Sequence, residues 1–238
     1  MNMIHPSDAT NLTSSAPSLP TDIQGLAPML TELRATDALF DRLVRICHYS
    51  PKATIATPNE LAETMYVVME GTVNLICSSD RRRRLIVASL GPGSIFGQGP
   101  LEEPACSNVV AEAAGEVTVW SVPAKETRSL MVQYPILTWA LLQTYGQRLA
   151  QVEDNLEDIA YRKLPERLAN LIWDLAGESD TVEGLSHQAL ADYLGTYRET
   201  VSAVLRDFKQ AGILSLGYRR IQIRDREMLA DMAGVWDY

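Results

Sequence analysis

Arg198 and Glu199 stand side by side, with Ser202 one helical turn further on and Arg206 and Lys209 beyond. A guanidinium fork matches the O6 and N7 acceptors of guanine, a carboxylate accepts from the cytosine amine, and a hydroxyl can meet either kind of base edge. An adjacent Arg-Glu pair can therefore read a G·C pair. The four-residue spacing of Arg198, Ser202 and Arg206 sets them along one face of a helix, while Val201, Val204, Leu205 and Phe208 form the opposite, apolar face.

The elements that must hold this face are readable on either side of it. Ser186 is the expected N-cap of a first helix whose inward stripe is Ala189, Leu190 and Tyr193/Leu194, ending at Gly195, which tolerates positive φ. Thr196 is the expected cap of the second helix, with Glu199 three residues on completing a capping box. Gly212 stops that helix. Ile213–Leu216 and Arg219–Ile223 then alternate as two short strands around Gly217-Tyr218, forming a wing. Thr196, Tyr197, His187, Lys209 and Arg219 are the expected contacts to the DNA backbone or from the wing, beside Arg198, Glu199, Ser202 and Arg206. Residues 196–224 hold six basic and two acidic side chains, a local balance of +4 in a chain of net charge −9. An acidic protein approaches DNA only through such a basic face. The competing reading is a small helical subdomain with a solvated basic face.

The 238 residues, 46% hydrophobic, suffice for two domains. No apolar run is long enough to span a bilayer, and no charged-then-apolar leader opens the sequence, so the expectation is a cytoplasmic protein without a membrane partner. Cys47, Cys77 and Cys106 are scattered and odd in number, which fits a reducing compartment. Residues 1–22, rich in Ser, Thr, Pro and Asn, read as a flexible arm. Only three histidines occur, at positions 5, 48 and 187, too few for a cupin-type metal site, and no Gly-x-Ser-x-Gly, Walker loop or His-Glu-x-x-His is present. The chain is not expected to be an enzyme or to hold a protein-ligated metal.

An antiparallel β-roll is expected over 23–134, with the runs Met65–Met69, Val73–Cys77, Leu85–Leu90 and Val117–Val122 separated by Gly-rich turns. The run Arg81–Arg84 reads as a solvated hairpin tip. A long helix and hinge occupy 135–164, where Leu142, Tyr145, Leu149, Val152, Leu156 and Ile159 follow a 3-4 heptad rhythm that predicts a parallel homodimer seam. Leu164-Pro165 is expected to close this helix, and 165–238 forms the winged helix-turn-helix. Two such heads about a two-fold axis would read half-sites about 34–36 Å apart.

The fold class is thus α+β, in the order roll, dimerisation helix, winged helix-turn-helix. In that order, and in three motifs, the chain resembles the Crp/Fnr superfamily of bacterial transcription factors, named for the cyclic-AMP receptor protein and the fumarate-nitrate reduction regulator. The motifs are Tyr66-Val67-Val68-Met69-Glu70-Gly71 with Val73, Gly91-Pro92-Gly93-Ser94-Ile95-Phe96-Gly97, and Arg198-Glu199-Thr200-Val201. The resemblance covers roughly residues 25–225 and implies a DNA-binding regulator that also contacts RNA polymerase. It assigns guanine to Arg198 and cytosine to Glu199. Ala203 stands where the cyclic-AMP-type pattern has a further Arg, whereas Ser202 matches a Ser of the other branch. The operator should keep the G·C pair and differ at the neighbouring position.

The effector positions depart further. After Gly97 the family's ribose-binding Glu is replaced by Gln98, and its phosphate-binding Arg-Ser pair by Ser107-Asn108. Val152 and Glu153 occupy the positions of the polar pair that reads adenine. Without the Arg a phosphate lacks a bidentate partner, which argues against cyclic AMP. Three scattered cysteines argue against an iron–sulfur cluster. Haem stays open through Cys47-His48, Cys77 and His5, although the Cys-x-His of haem-sensing members is missing after the glycine loop. A thiol switch at Cys106, a different metabolite in the roll, and a dimer that senses nothing also stay open. From another class, a channel- or kinase-type ligand-binding module would share the roll but lack Arg198-Glu199.

Overall fold

The computed structural model describes residues 26–78, 83–97 and 108–235; the proposed arm at 1–22 lies outside them. The chain opens with α1 (Leu26–Thr36) and α2 (Ala38–Leu43). Asp37 caps α2 by accepting from the N–H groups of Leu39 and Phe40, and Tyr134 donates its hydroxyl proton to the same carboxylate. The roll follows as β1 (Arg45–Tyr49), β2 (Thr54–Ala56), α3 (Pro58–Glu63), β3 (Thr64–Glu70), β4 (Val73–Ser78), β5 (Arg84–Leu90), β6 (Ile95–Phe96), β7 (Val109–Ala113) and β8 (Val117–Pro123). α1 to α3 were not foreseen in a stretch that reads as β. Leu26, Leu30 and Leu33 at turn spacing explain α1, and the Thr57–Glu60 capping box explains α3.

Two four-stranded antiparallel sheets, β1-β8-β3-β6 and β2-β7-β4-β5, face each other. β3 is buried on both faces because it lies between two cores. Met65, Val67 and Met69 pack under the helices with Phe40, Trp120 and Leu137, while Tyr66 and Val68 face the inter-sheet core with Phe96 and Val119. That double burial is why Met65–Met69 reads as an unbroken apolar run.

α4 (Ala124–Gln133) leads into the long helix α5 (Pro135–Tyr161). The first half of α5 buries Leu137, Ala140, Leu141 and Thr144 on the roll, and the Thr144 hydroxyl accepts from the Ile95 N–H at 3.1 Å. The expected end at Leu164-Pro165 is corrected. α5 stops at Tyr161, Arg162 and Lys163 form the break, and Leu164 already begins α6 (Leu164–Ala176). Proline in the first turn costs α6 no hydrogen bond, and the Glu166 carboxylate accepts from the Lys163 N–H at 2.9 Å.

The C-terminal domain is α6, β9 (Thr181–Glu183), α7 (His187–Leu194), α8 (Arg198–Gln210), β10 (Leu214–Gly217), β11 (Arg220–Ile223) and α9 (Arg226–Ala233), around one core containing Leu168, Ile172, Leu190, Leu205 and Leu229. β9 completes a three-stranded sheet by pairing with β11. Gly217 pairs with Arg220, so the wing turns on Tyr218-Arg219, one residue later than expected, with Arg219 at φ 49°.

Candidate nucleic-acid interface

Ser186 caps α7 by accepting the Ala189 N–H at 3.1 Å, and α7 ends at Gly195, whose φ of 62° suits glycine. The expected Thr196–Glu199 capping box does not form. The N–H groups of Gly195 and Thr196 are both drawn back to the Ala191 carbonyl to close α7, so Tyr197 becomes the N-cap of α8 and makes no side-chain cap bond. Glu199 is thereby free of a capping duty and exposed.

Val201, Leu205 and Phe208 anchor α8 in the core, with Val204 packed at its edge. Their burial leaves Arg198, Glu199, Ala203, Arg206 and Lys209 exposed and Ser202 half-buried. Arg198, Ser202 and Arg206 share one ridge. Beside it, an open cleft of about 560 Å³ separates α7 from the wing and is lined by His187, Gln188, Arg198, Tyr218, Arg219 and Arg220. A groove with that many cations suits a phosphodiester backbone. Arg219 is exposed at the wing tip, whereas Arg220 is 3.4 Å from Glu183. His187 does not stand free: its Nδ1 is 2.8 Å from the Ser202 Oγ. Desolvation first, and the Arg198 charge second, push the imidazole below its ordinary pKa and favour the neutral ring.

The reading of Arg81–Arg84 as a solvated tip is corrected for its described half. Arg84 pairs with Glu112 of the roll at 2.9 Å and with Asp192 of α7 at 3.7 Å, and Arg83 stacks over the Tyr197 ring at 5.5 Å from its centroid. Leu85 lies opposite Gly195, where an added Cβ would come within 3.1 Å of its side chain. The hairpin thus seats the reading head on the roll. Sequence reasoning missed Asp192, although a carboxylate beside the inward stripe of α7 signals a partner, because a buried charge is costly unpaired. Asp192 is 8% exposed and also accepts from Gln188 at 2.8 Å.

The effector positions are only partly brought together. Gly97 has φ 87°, and a Cβ there would meet the Thr64 carbonyl oxygen at 2.2 Å, so its glycine is required by the backbone itself. Gln98 and Ser107 lie outside the described residues, and Asn108 is exposed. Val152 and Glu153 project from an exposed stretch of α5. Thr144, Gln147, Arg148 and Gln151 face the roll in their place, across a cleft of about 510 Å³ floored by Ser89 and Pro92. Along the proposed seam Leu142, Leu149, Val152, Leu156 and Ile159 are 44–67% exposed, whereas Tyr145 is half-buried against the roll with Arg148 over its ring. His48 Nδ1 is 3.1 Å from the Thr118 hydroxyl, and Cys47 points to the other side of β1, 3.9 Å from Ser121 Oγ. Among the described residues no three His, Cys, Asp or Glu side chains are grouped to hold a metal, and no helix is long and apolar enough to cross a membrane.

These two domains match two family models, a cyclic nucleotide-binding domain over residues 46–134 and a Crp-like helix-turn-helix domain over 166–232. The chain belongs to the Crp/Fnr superfamily of DNA-binding transcription regulators. It is 27% identical over 188 residues to a CRP-like cAMP-activated global transcriptional regulator of Mycobacterium tuberculosis, covering 76% of this chain and 84% of that one. The solved structure of FixK2 from Bradyrhizobium japonicum aligns with TM-score 0.63 and 25% identity over 82% of this chain and 99% of the other. The c-di-GMP responsive global regulator CLP of Xanthomonas campestris shares the fold, with TM-score 0.72 and 19% identity over 84% and 99% of the two chains. The relatives whose names state a role are regulators of transcription and not enzymes.

Proposed function

We propose that the protein acts in the cytoplasm as a homodimer that binds a two-fold DNA operator, with Arg198 and Glu199 reading a G·C pair in each half-site, and that cyclic AMP does not control it. The observation that carries this reading is the exposed Arg198-Glu199 pair in the first turn of a helix whose other face is locked into the core. Ser202 faces the neighbouring base, while Thr196, Tyr197, His187, Arg206, Lys209 and Arg219 serve the backbone and flanks. The exposed stripe from Leu142 to Ile159 supports a coiled-coil partner, since so many aligned apolar side chains on one helix are ordinarily covered. The bound dimer would hand RNA polymerase its contact at promoters.

Family members of this fold carry names that point to cyclic AMP and to c-di-GMP, so the fold itself leaves the input open. Gln98 and Ser107-Asn108 replace the groups that would anchor a cyclic nucleotide, and this supports either no effector or a different metabolite or redox input. No haem or iron–sulfur cofactor is part of the proposal. A gel shift with the purified dimer and no added nucleotide tests it: retarded specific complexes are expected, and an absolute requirement for cyclic AMP would refute it.

A further inference from the structure

The contact between His187 and Ser202 joins two residues that lie on different helices, His187 at the start of α7 and Ser202 on the base-facing ridge of α8. Their 2.8 Å separation is a full hydrogen bond, and a hydroxyl in such a bond has only its remaining valences to offer a base. We propose that His187 is a positioning residue that sets the hydrogen-bond polarity of Ser202, and hence which base Ser202 selects. The proposal rests on the assignment of Ser202 to a base edge.

The chemistry follows from the imidazole. With Nδ1 held by Ser202, Nε2 is the ring nitrogen left for another partner, and His187 lines the cationic cleft between α7 and the wing, where a phosphate oxygen would accept the hydrogen bond of Nε2–H. With the proton on Nε2, Nδ1 is bare and accepts from the Ser202 hydroxyl. Ser202 then presents lone pairs outward and pairs with an amine donor, cytosine N4 or adenine N6. When the ring takes up a second proton, Nδ1–H donates to Ser202 Oγ. The hydroxyl proton is released outward and pairs with an acceptor, guanine O6 or N7 or thymine O4. One proton on His187 thus inverts the preference at one base pair, without moving either helix.

The charged groups facing His187 are Arg198 from α8 and Arg219 and Arg220 from the wing, all cationic. Burial first and the Arg198 charge second favour the neutral ring, so the amine-reading state holds at neutral pH. A phosphate at the cleft acts in the opposite sense and draws the titration upward on DNA.

In-vitro selection of operators at about pH 8 and about pH 5 tests this, with the wild type, His187→Ala and Ser202→Ala side by side. At the higher pH the wild type should enrich the amine-bearing base opposite Ser202. At the lower pH the enrichment should move toward guanine or thymine by about three- to ten-fold, the range of one net hydrogen bond. His187→Ala should show one preference at both pH values, and Ser202→Ala should lose preference at that pair while keeping the G·C pair of Arg198 and Glu199. A wild-type preference that does not change with pH, or a change that survives in His187→Ala, overturns the proposal. If Ser202→Ala leaves every position unaltered, the assignment of Ser202 to a base has itself failed. The His187→Ala protein keeps the Ser186 cap, and Ser202→Ala alters a half-exposed position, so one of the two variants reports even if the other folds poorly.

Discussion

The reading head and the sensor roll use their polar residues in contrasting ways. On α8 the apolar residues Val201, Leu205 and Phe208 are sunk in the core, so Arg198 and Glu199 stand outward on a rigid frame. In the roll the glycine that ends the turn, Gly97, is fixed by its approach to the Thr64 carbonyl, and the proposed independence from cyclic AMP rests on the residue types after it, Gln98 and Ser107-Asn108. A DNA contact built on one helix is held by local spacing, whereas a ligand site drawn from separate strands and a helix can lose its specificity through a few substitutions without disturbing the fold.

The sharpest way to break this comparison is to remove the dimer and leave both domains intact. Leu149 and Leu156 are 60% and 61% exposed in the protomer, so Leu149→Asp with Leu156→Asp should leave each chain folded. Gel filtration should then report a monomer, and operator affinity should fall by about a thousand-fold, toward the non-specific level. An unchanged dimer would move the interface elsewhere. Next in size, Arg198→Ala should weaken operator binding by about 1–3 kcal/mol and relax discrimination at one G·C pair, as read by fluorescence anisotropy against single-base variants. A uniform loss across all sequences would instead make Arg198 a backbone contact.

Smaller effects test how the head is seated. Gly195→Ala combines a left-handed backbone with a close approach to Leu85, and thermal unfolding should register a loss of about 1 kcal/mol. His187 has a depressed folded-state pKa. The neutral ring is the form the fold prefers, so this contribution is intact above the ordinary histidine range and is lost as pH falls through the folded-state value. The midpoint of unfolding of the wild type should therefore drop more steeply on acidification than that of His187→Ala. Smallest of all, isothermal titration with cyclic AMP should give no heat of binding at low-micromolar nucleotide.

Much of this was legible beforehand, and for a common reason. The strands around Val67, Leu75 and Val119, the α8 face and the exposed apolar stripe of α5 are written in residues a few positions apart, where periodicity applies. The misses arise where two elements compete for one stretch of backbone or where distant segments meet. The capping box at Thr196 failed because α7 took that backbone for its own C-terminus, and the role of Arg84 depends on Asp192, 108 positions away. The His187–Ser202 bond joins two residues that had separate assignments, one to phosphate and one to a base. Spacing within a helix could not disclose it.

The most direct test of the account is in-vitro selection from random DNA by the purified protein with no nucleotide added. The expected result is enrichment of a two-fold symmetric sequence with one invariant G·C pair in each half-site and a different preference beside it, at the position faced by Ala203. Enrichment that appears only when cyclic AMP is supplied, or a selected sequence without two-fold symmetry, would contradict it.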